Sequence, residues 1–188
     1  MDRPAHLPCG QPVEISLGKL KIAVDFGFPA MLAIVLLSGD ASFLLRILLV
    51  CVLHECGHGI AMCLTGAGLR EIRFCGTGIQ MTAGTSVLSQ LRMLCISLAG
   101  PVVNLLCAAF SAPETAVLHL CMGLFNLLPY RCLDGGTAIR IFHDSRKLTI
   151  ACVILSVLLF LLLLLYHIRN PLLYLLLVYL TIQESLRQ

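Results

Sequence analysis

From Leu148 to Leu165 the chain runs eighteen residues without a charge, half of them leucine. A bilayer core about 30 Å thick takes roughly 20 apolar helical residues. In hydrocarbon a lone segment can satisfy its backbone N–H and C=O groups only as a helix. Six segments approach this template: Ala23–Ser38, Phe43–Leu64, Leu91–Phe110, Ala116–Leu128, Leu148–Leu165 and Pro171–Ile182. The first is interrupted by Asp25 and Pro29, and the fourth and sixth are short. Composition agrees, because 59% of the 188 residues are hydrophobic and only 12% are charged, where a soluble domain carries about 25% charged residues. The expected fold is an all-α membrane protein of about six transmembrane helices.

Lys and Arg concentrate in cytoplasmic loops. With six spans, eleven of the 13 basic residues share one side and only Arg46 and Arg169 fall on the other. Both termini are therefore expected in the cytoplasm of a multi-pass cell-membrane protein. The organisation expected is an N-terminal cytoplasmic segment 1–22, a membrane domain 23–183 and a cytoplasmic tail 184–188. About 20 mixed residues precede the first apolar run, which fits a retained anchor and not a cleaved leader. Between helices two and three, Leu69–Thr85 alternates weakly around Gly76-Thr77-Gly78, a pattern that predicts a short β-hairpin or re-entrant loop. The net charge of +3 comes without an arginine-rich or aromatic-basic patch, so nucleic acid is not an expected partner. Most of the 10 cysteines lie in apolar segments and are expected to pack as small hydrophobes, not to form bridges.

The second segment contains His54-Glu55-Cys56-Gly57-His58, an H-E-x-x-H pattern. Helical residues four apart differ by only about 40° in direction, so both imidazoles can face one metal ion. Glu55, on the flank of that face, can reach a water there, while Cys56 points away. With six His in the chain, chance yields such a pentapeptide about 0.005 times per chain of this composition. Ionisable residues inside a span are expensive and mark function.

A catalytic zinc has three protein ligands and one open position. Among the acids, Asp2, Glu14, Glu71, Asp144 and Glu184 fall in loops or tails, and Asp40 and Glu114 on the outer side. Asp25 and Asp134 remain, with His119 and Cys132 as non-acidic outsiders. Depth in the bilayer favours Asp134 and does not exclude Asp25. Asp134-Gly135-Gly136-Thr137 also reads as plain turn chemistry, yet Pro129 breaks the helix before it, and exposed backbone at membrane depth is tolerated where it lines a cavity.

These residues resemble the site-2 protease family of intramembrane zinc metalloproteases. The likeness rests on His54-Glu55-Cys56-Gly57-His58 together with N-x-x-P-x-x-x-x-D-G at Asn126 to Gly135, and Gly100-Pro101-Val102-Val103-Asn104 is similar to a further element of that family. The order of segments looks closest to the branch of stage IV sporulation protein FB. The resemblance implies one Zn2+ per chain on His54, His58 and Asp134, Glu55 as general base, and Asn126 near the active site, orienting substrate or a developing oxyanion. It also implies a membrane hairpin at Gly76-Thr77-Gly78 that pairs with an unwound substrate. Expected partners are the bilayer, a membrane-tethered protein substrate such as a transcription-factor or sigma-factor precursor, and a membrane regulatory protein. Cys56 and Cys132 depart from the family's usual residues, and no CBS domain is expected after the sixth segment. The competing readings are a membrane metal-binding or transport protein, which would repeat polar sites along a path, and a catalytically silent relative that only binds clients.

Overall fold

The structure, a computed structural model, describes residues 12–18, 20–38, 40–75, 78–85, 88–167 and 170–186. The chain divides into two compact units, Met1–Leu88 and Ser89–Gln188.

The first unit begins with strands β1 (Val13–Leu17) and β2 (Leu20–Val24), which form an antiparallel hairpin that pairs Ile15 with Ile22. Helices α1 (Gly27–Ser38) and α2 (Ala41–Leu64) follow, then β3 (Leu69–Cys75) and β4 (Gly78–Ala83). β2 and β3 run parallel, pairing Ile22 with Ile72; a parallel pair needs a crossover, and α1 and α2 supply it. β3 and β4 are antiparallel, and the sheet order β1-β2-β3-β4 leaves β1 and β4 at the edges. Residues opposite one another share a face. Ile15, Ile22, Ile72 and Met81 therefore lie on one apolar face, while Glu14, Lys21, Glu71 and Arg73 lie on the other. The polar face is tied by Lys21 to Glu14 at 2.8 Å and by Arg73 to Glu71 at 3.1 Å.

α2 has 24 residues, about 36 Å at 1.5 Å per residue. Asp40 caps its start by accepting from the Ser42 backbone N–H at 3.2 Å, and the Ser42 hydroxyl also donates to the Asp40 carboxylate. That hydroxyl bond holds the Asp40 carboxyl below its ordinary value. At the other end Thr65 Oγ1 donates to Ala61 O at 2.7 Å. Gly66, at φ +71°, then turns the chain toward β3 in a left-handed conformation that favours glycine.

The second unit holds α3 (Gln90–Phe110), α4 (Pro113–Asn126), the short α5 (Asp134–Arg140), α6 (Arg146–Leu165) and α7 (Pro171–Leu186). α3 packs along α4, α6 along α7, and α5 against α3. A core of Tyr130, Cys152 and Leu180 is wrapped by Phe125, Leu128, Leu133, Leu148 and Leu176.

One expectation changes. The architecture is not all-α, because the hairpin foreseen at Leu69–Thr85 is half of a four-stranded sheet. Its other half comes from a stretch read as a polar N-terminal segment. Gly76 and Thr77 themselves lie outside the described residues. Of the six expected spans, among the described residues three helices, α2, α3 and α6, are long and apolar enough to cross a membrane. α1, α4 and α7, with 12, 14 and 16 residues, fall short of the roughly 20 that a full span needs.

Large apolar side chains stand in the open, with Phe110 90% and Leu64 83% exposed. Each would be costly in water, and lipid removes that cost. No disulfide forms among the described residues, and Cys56, Cys63, Cys95 and Cys121 are exposed on their helices, where core packing was expected.

Candidate metal centre

His54 and His58 lie one helical turn apart in α2 and are 5% and 8% exposed. Their rings meet edge to face, with centroids 4.9 Å apart and planes at 80°. Their Nε2 atoms lie 3.2 Å apart. Glu55 is half-buried beside them and Cys56 is exposed, as the helical rotation predicted. β4 reaches the same turn of α2, where Met81 Sδ comes within 3.7 Å of the Cβ position of Gly59.

Asp134 is the first residue of α5. The chain leaves α4 at Asn126 and is turned by Leu133 N–H donating to Tyr130 O at 2.9 Å. It re-enters helix where Thr137 N–H donates to Leu133 O at 3.0 Å. The two glycines after Asp134 have no room for a side chain. A Cβ on Gly135 would stand 2.1 Å from Leu127 O, and one on Gly136 would stand 1.9 Å from Tyr130 O. Backbone therefore rests on backbone, and this contact sets where α5, and with it Asp134, begins.

His54 and His58 offer two ligand nitrogens from the first unit, and Asp134 offers a carboxylate from the second. The donor set fits zinc. A tetrahedral ion with Zn–N bonds of about 2.0–2.1 Å separates its nitrogens by about 3.3–3.4 Å, close to the 3.2 Å between the two Nε2 atoms. Two nitrogens and one carboxylate make the three-ligand set of catalytic zinc sites.

Asp25 follows β2 and lies 3.9 Å from the Arg73 guanidinium. Cys132 is exposed. His119 is buried in α4 with its Nδ1 3.1 Å from Asn104 Oδ1, so Asn104 of the G-P-x-x-N element joins α3 to α4. Asn126 turns its amide nitrogen back on its own helix, donating to Met122 O at 3.0 Å. Glu184, assigned by elimination to a loop or tail, belongs to α7 and is 1% exposed. The sequence offered no sign of this burial, because the cation that accompanies Glu184, Arg140, is 44 residues away.

No protein-family model and no curated protein sequence matches the chain. Among solved structures, the site-2 protease from Methanocaldococcus jannaschii matches at a TM-score of 0.62 and 21% sequence identity. The match covers 93% of this chain and 94% of that one. The chain is similar to that protein in fold.

Proposed function

We propose that the chain is an intramembrane zinc endopeptidase of the site-2 protease type, which hydrolyses a peptide bond of a membrane-associated protein near the cytoplasmic face. The observation that carries this reading is the pair of His54 and His58 nitrogens at ligand spacing, 3.2 Å apart, with Glu55 next to them in α2; Asp134 of the second unit is the third ligand in this reading. The shared fold with a site-2 protease supports it. In this reading the shorter helices α1, α4 and α7 also cross the bilayer, so that six passes leave both termini cytoplasmic, and its relatives are those of the sporulation branch.

His54, His58 and Asp134 would hold one zinc ion, which when bound polarises a carbonyl and makes water acidic enough to react near neutral pH. Glu55 acts as the general base: it takes the proton of the attacking water and returns one to the leaving amine. Asn126 orients the scissile carbonyl, which requires its amide to leave Met122. A helical substrate hides its carbonyls in internal hydrogen bonds, so it must unwind first, and the outer edge of β4 offers a strand partner close to the helical turn that carries His58. The substrate class we propose is a membrane-tethered transcription-factor or sigma-factor precursor, held in check by a membrane regulatory protein; spent signal peptides are the alternative substrates.

The test is to reconstitute the full chain with zinc and a membrane-tethered reporter, with and without chelator, beside Glu55→Gln. Cleavage that needs zinc and falls about 100-fold or more in Glu55→Gln supports the protease. Cleavage at an undiminished rate in Glu55→Gln rejects it, and zinc flux across the vesicle without any cleavage favours a transporter.

A further inference from the structure

The buried carboxylate of Glu184 has no part in the chemistry above, yet it is fully enclosed, with its side chain 0% exposed. A buried ion pair is weak evidence for stability, since apolar residues of similar volume often serve as well or better. What distinguishes this pair is where its bonds go. One oxygen, Oε2, accepts the backbone N–H of Arg131 at 2.7 Å. The other, Oε1, pairs with the Arg140 guanidinium, whose side chain is 7% exposed. From there Arg140 Nη1 donates onward to Pro129 O at 2.9 Å and Gly136 O at 3.3 Å. The Arg131 side chain is held by Asp144 at 2.9 Å, and the same carboxylate oxygen lies 3.7 Å from Arg140 Nε.

These bonds fasten the segment Pro129–Arg140 at both ends. Asp134 lies inside it, three residues after one anchor and six before the other. The coupling to Asp134 is stiff, because Gly136 rests on the Tyr130 carbonyl, which belongs to the same peptide unit as the Arg131 N–H held by Glu184. A shift of that peptide has to carry the start of α5 with it.

We propose that Glu184 and Arg140 are positioning residues that hold Asp134 at the depth and angle at which it completes the metal site. This rests on the reading of Asp134 as a ligand. Glu184 acts through the peptide at residue 131, and Arg140 acts through the carbonyls of Pro129 and Gly136. Neither touches the ion or the substrate. Lysine cannot replace Arg140, because a single ammonium lacks the planar fork that reaches a carboxylate and two carbonyls together.

The experiment measures zinc affinity of the full chain in detergent, by competition with a chromophoric chelator, for Glu184→Gln, Arg140→Lys, Asp134→Ala and Asp134→Ala combined with each of the first two. Thermal unfolding of the metal-free forms is followed in parallel. Partners that orient metal ligands typically change affinity by about 10–100-fold, and a loss of that size is expected for Glu184→Gln. In the Asp134→Ala background the same change should cost nothing further, since its only route to the ion is gone. A merely structural role would lower the unfolding temperature and leave zinc affinity unchanged, which overturns the proposal. Loss in Asp134→Ala without loss in Glu184→Gln overturns the positioning role alone, whereas no loss in Asp134→Ala overturns the ligand assignment and the positioning role together. Should Glu184→Gln not fold, Arg140→Lys decides by the same criteria, since it keeps the buried charge and removes only the fork.

Discussion

The Nε2 atoms of His54 and His58 lie 3.2 Å apart, on rings set at 80° to one another. Two neutral imidazoles can share that space by a hydrogen bond, and a tetrahedral ion needs almost the same gap. The helix thus brings both rings to one side by its i, i+4 spacing, and their rotamers set the two nitrogens at ligand spacing.

Removing either nitrogen should empty the site. His58→Ala is expected to lower bound zinc to well under one ion per chain, since two protein ligands seldom retain a catalytic zinc. Metal analysis of the detergent-purified protein after dialysis checks this, and a variant that keeps one zinc would show that the ion sits elsewhere.

Glu55→Gln separates binding from catalysis. The amide keeps the shape of the side chain but cannot take a proton. Cleavage should fall by about 10²–10⁴-fold, the usual worth of a positioned general base, with zinc content unchanged. Single-turnover cleavage of a tethered reporter, measured beside zinc content, reads both.

Gly136→Ala should be among the most damaging one-carbon changes in the chain. Its Cβ would meet Tyr130 O at 1.9 Å, and neither backbone can yield without moving α5. Overpacking of this kind costs about 3 kcal/mol or more. Gly59→Ala is the control, because its Cβ would find Met81 Sδ at an ordinary 3.7 Å. Thermal unfolding of the two variants should differ clearly, and equal midpoints would contradict the close approach.

Tyr130 and Ser156 allow a finer test. Ser156 Oγ donates to Cys152 O at 3.1 Å, which spends its one proton. Tyr130 O–H must then be the donor in the 2.8 Å bond between the two hydroxyls. Tyr130→Phe deletes a donor together with its bond and should cost about 1 kcal/mol, whereas Ser156→Ala strands a buried phenol and should cost about 1–3 kcal/mol. Unfolding midpoints that reverse this order would refute the assignment of donor and acceptor.

The candidate metal residues were legible in the sequence as candidates because they obey local rules. His54 and His58 are fixed by one helical turn, while elimination left Asp134 beside Asp25 and the family resemblance favoured Asp134. What escaped was non-local. Val13-Glu14-Ile15-Ser16-Leu17 does alternate, yet the strand is sheltered only through β2, and β2 pairs with residues about fifty positions later, Ile22 with Ile72. No window of sequence contains that pairing. Glu184 was misplaced for the same reason: its burial depends on Arg140 and on the Arg131 peptide, neither of which its neighbours announce. The count of spans rests on less than the site does, since apolar runs reveal greasiness but not where a helix stops. α4 ends at Asn126, before Pro129, after only 14 residues.

β4 forms one margin of the sheet, and a margin offers amide hydrogens and carbonyl oxygens, which every polypeptide possesses. A guest strand laid there would be judged by its readiness to uncoil, with its side-chain alphabet secondary. Substrates of such a protein would then share a weakness in their helices and no consensus spelling.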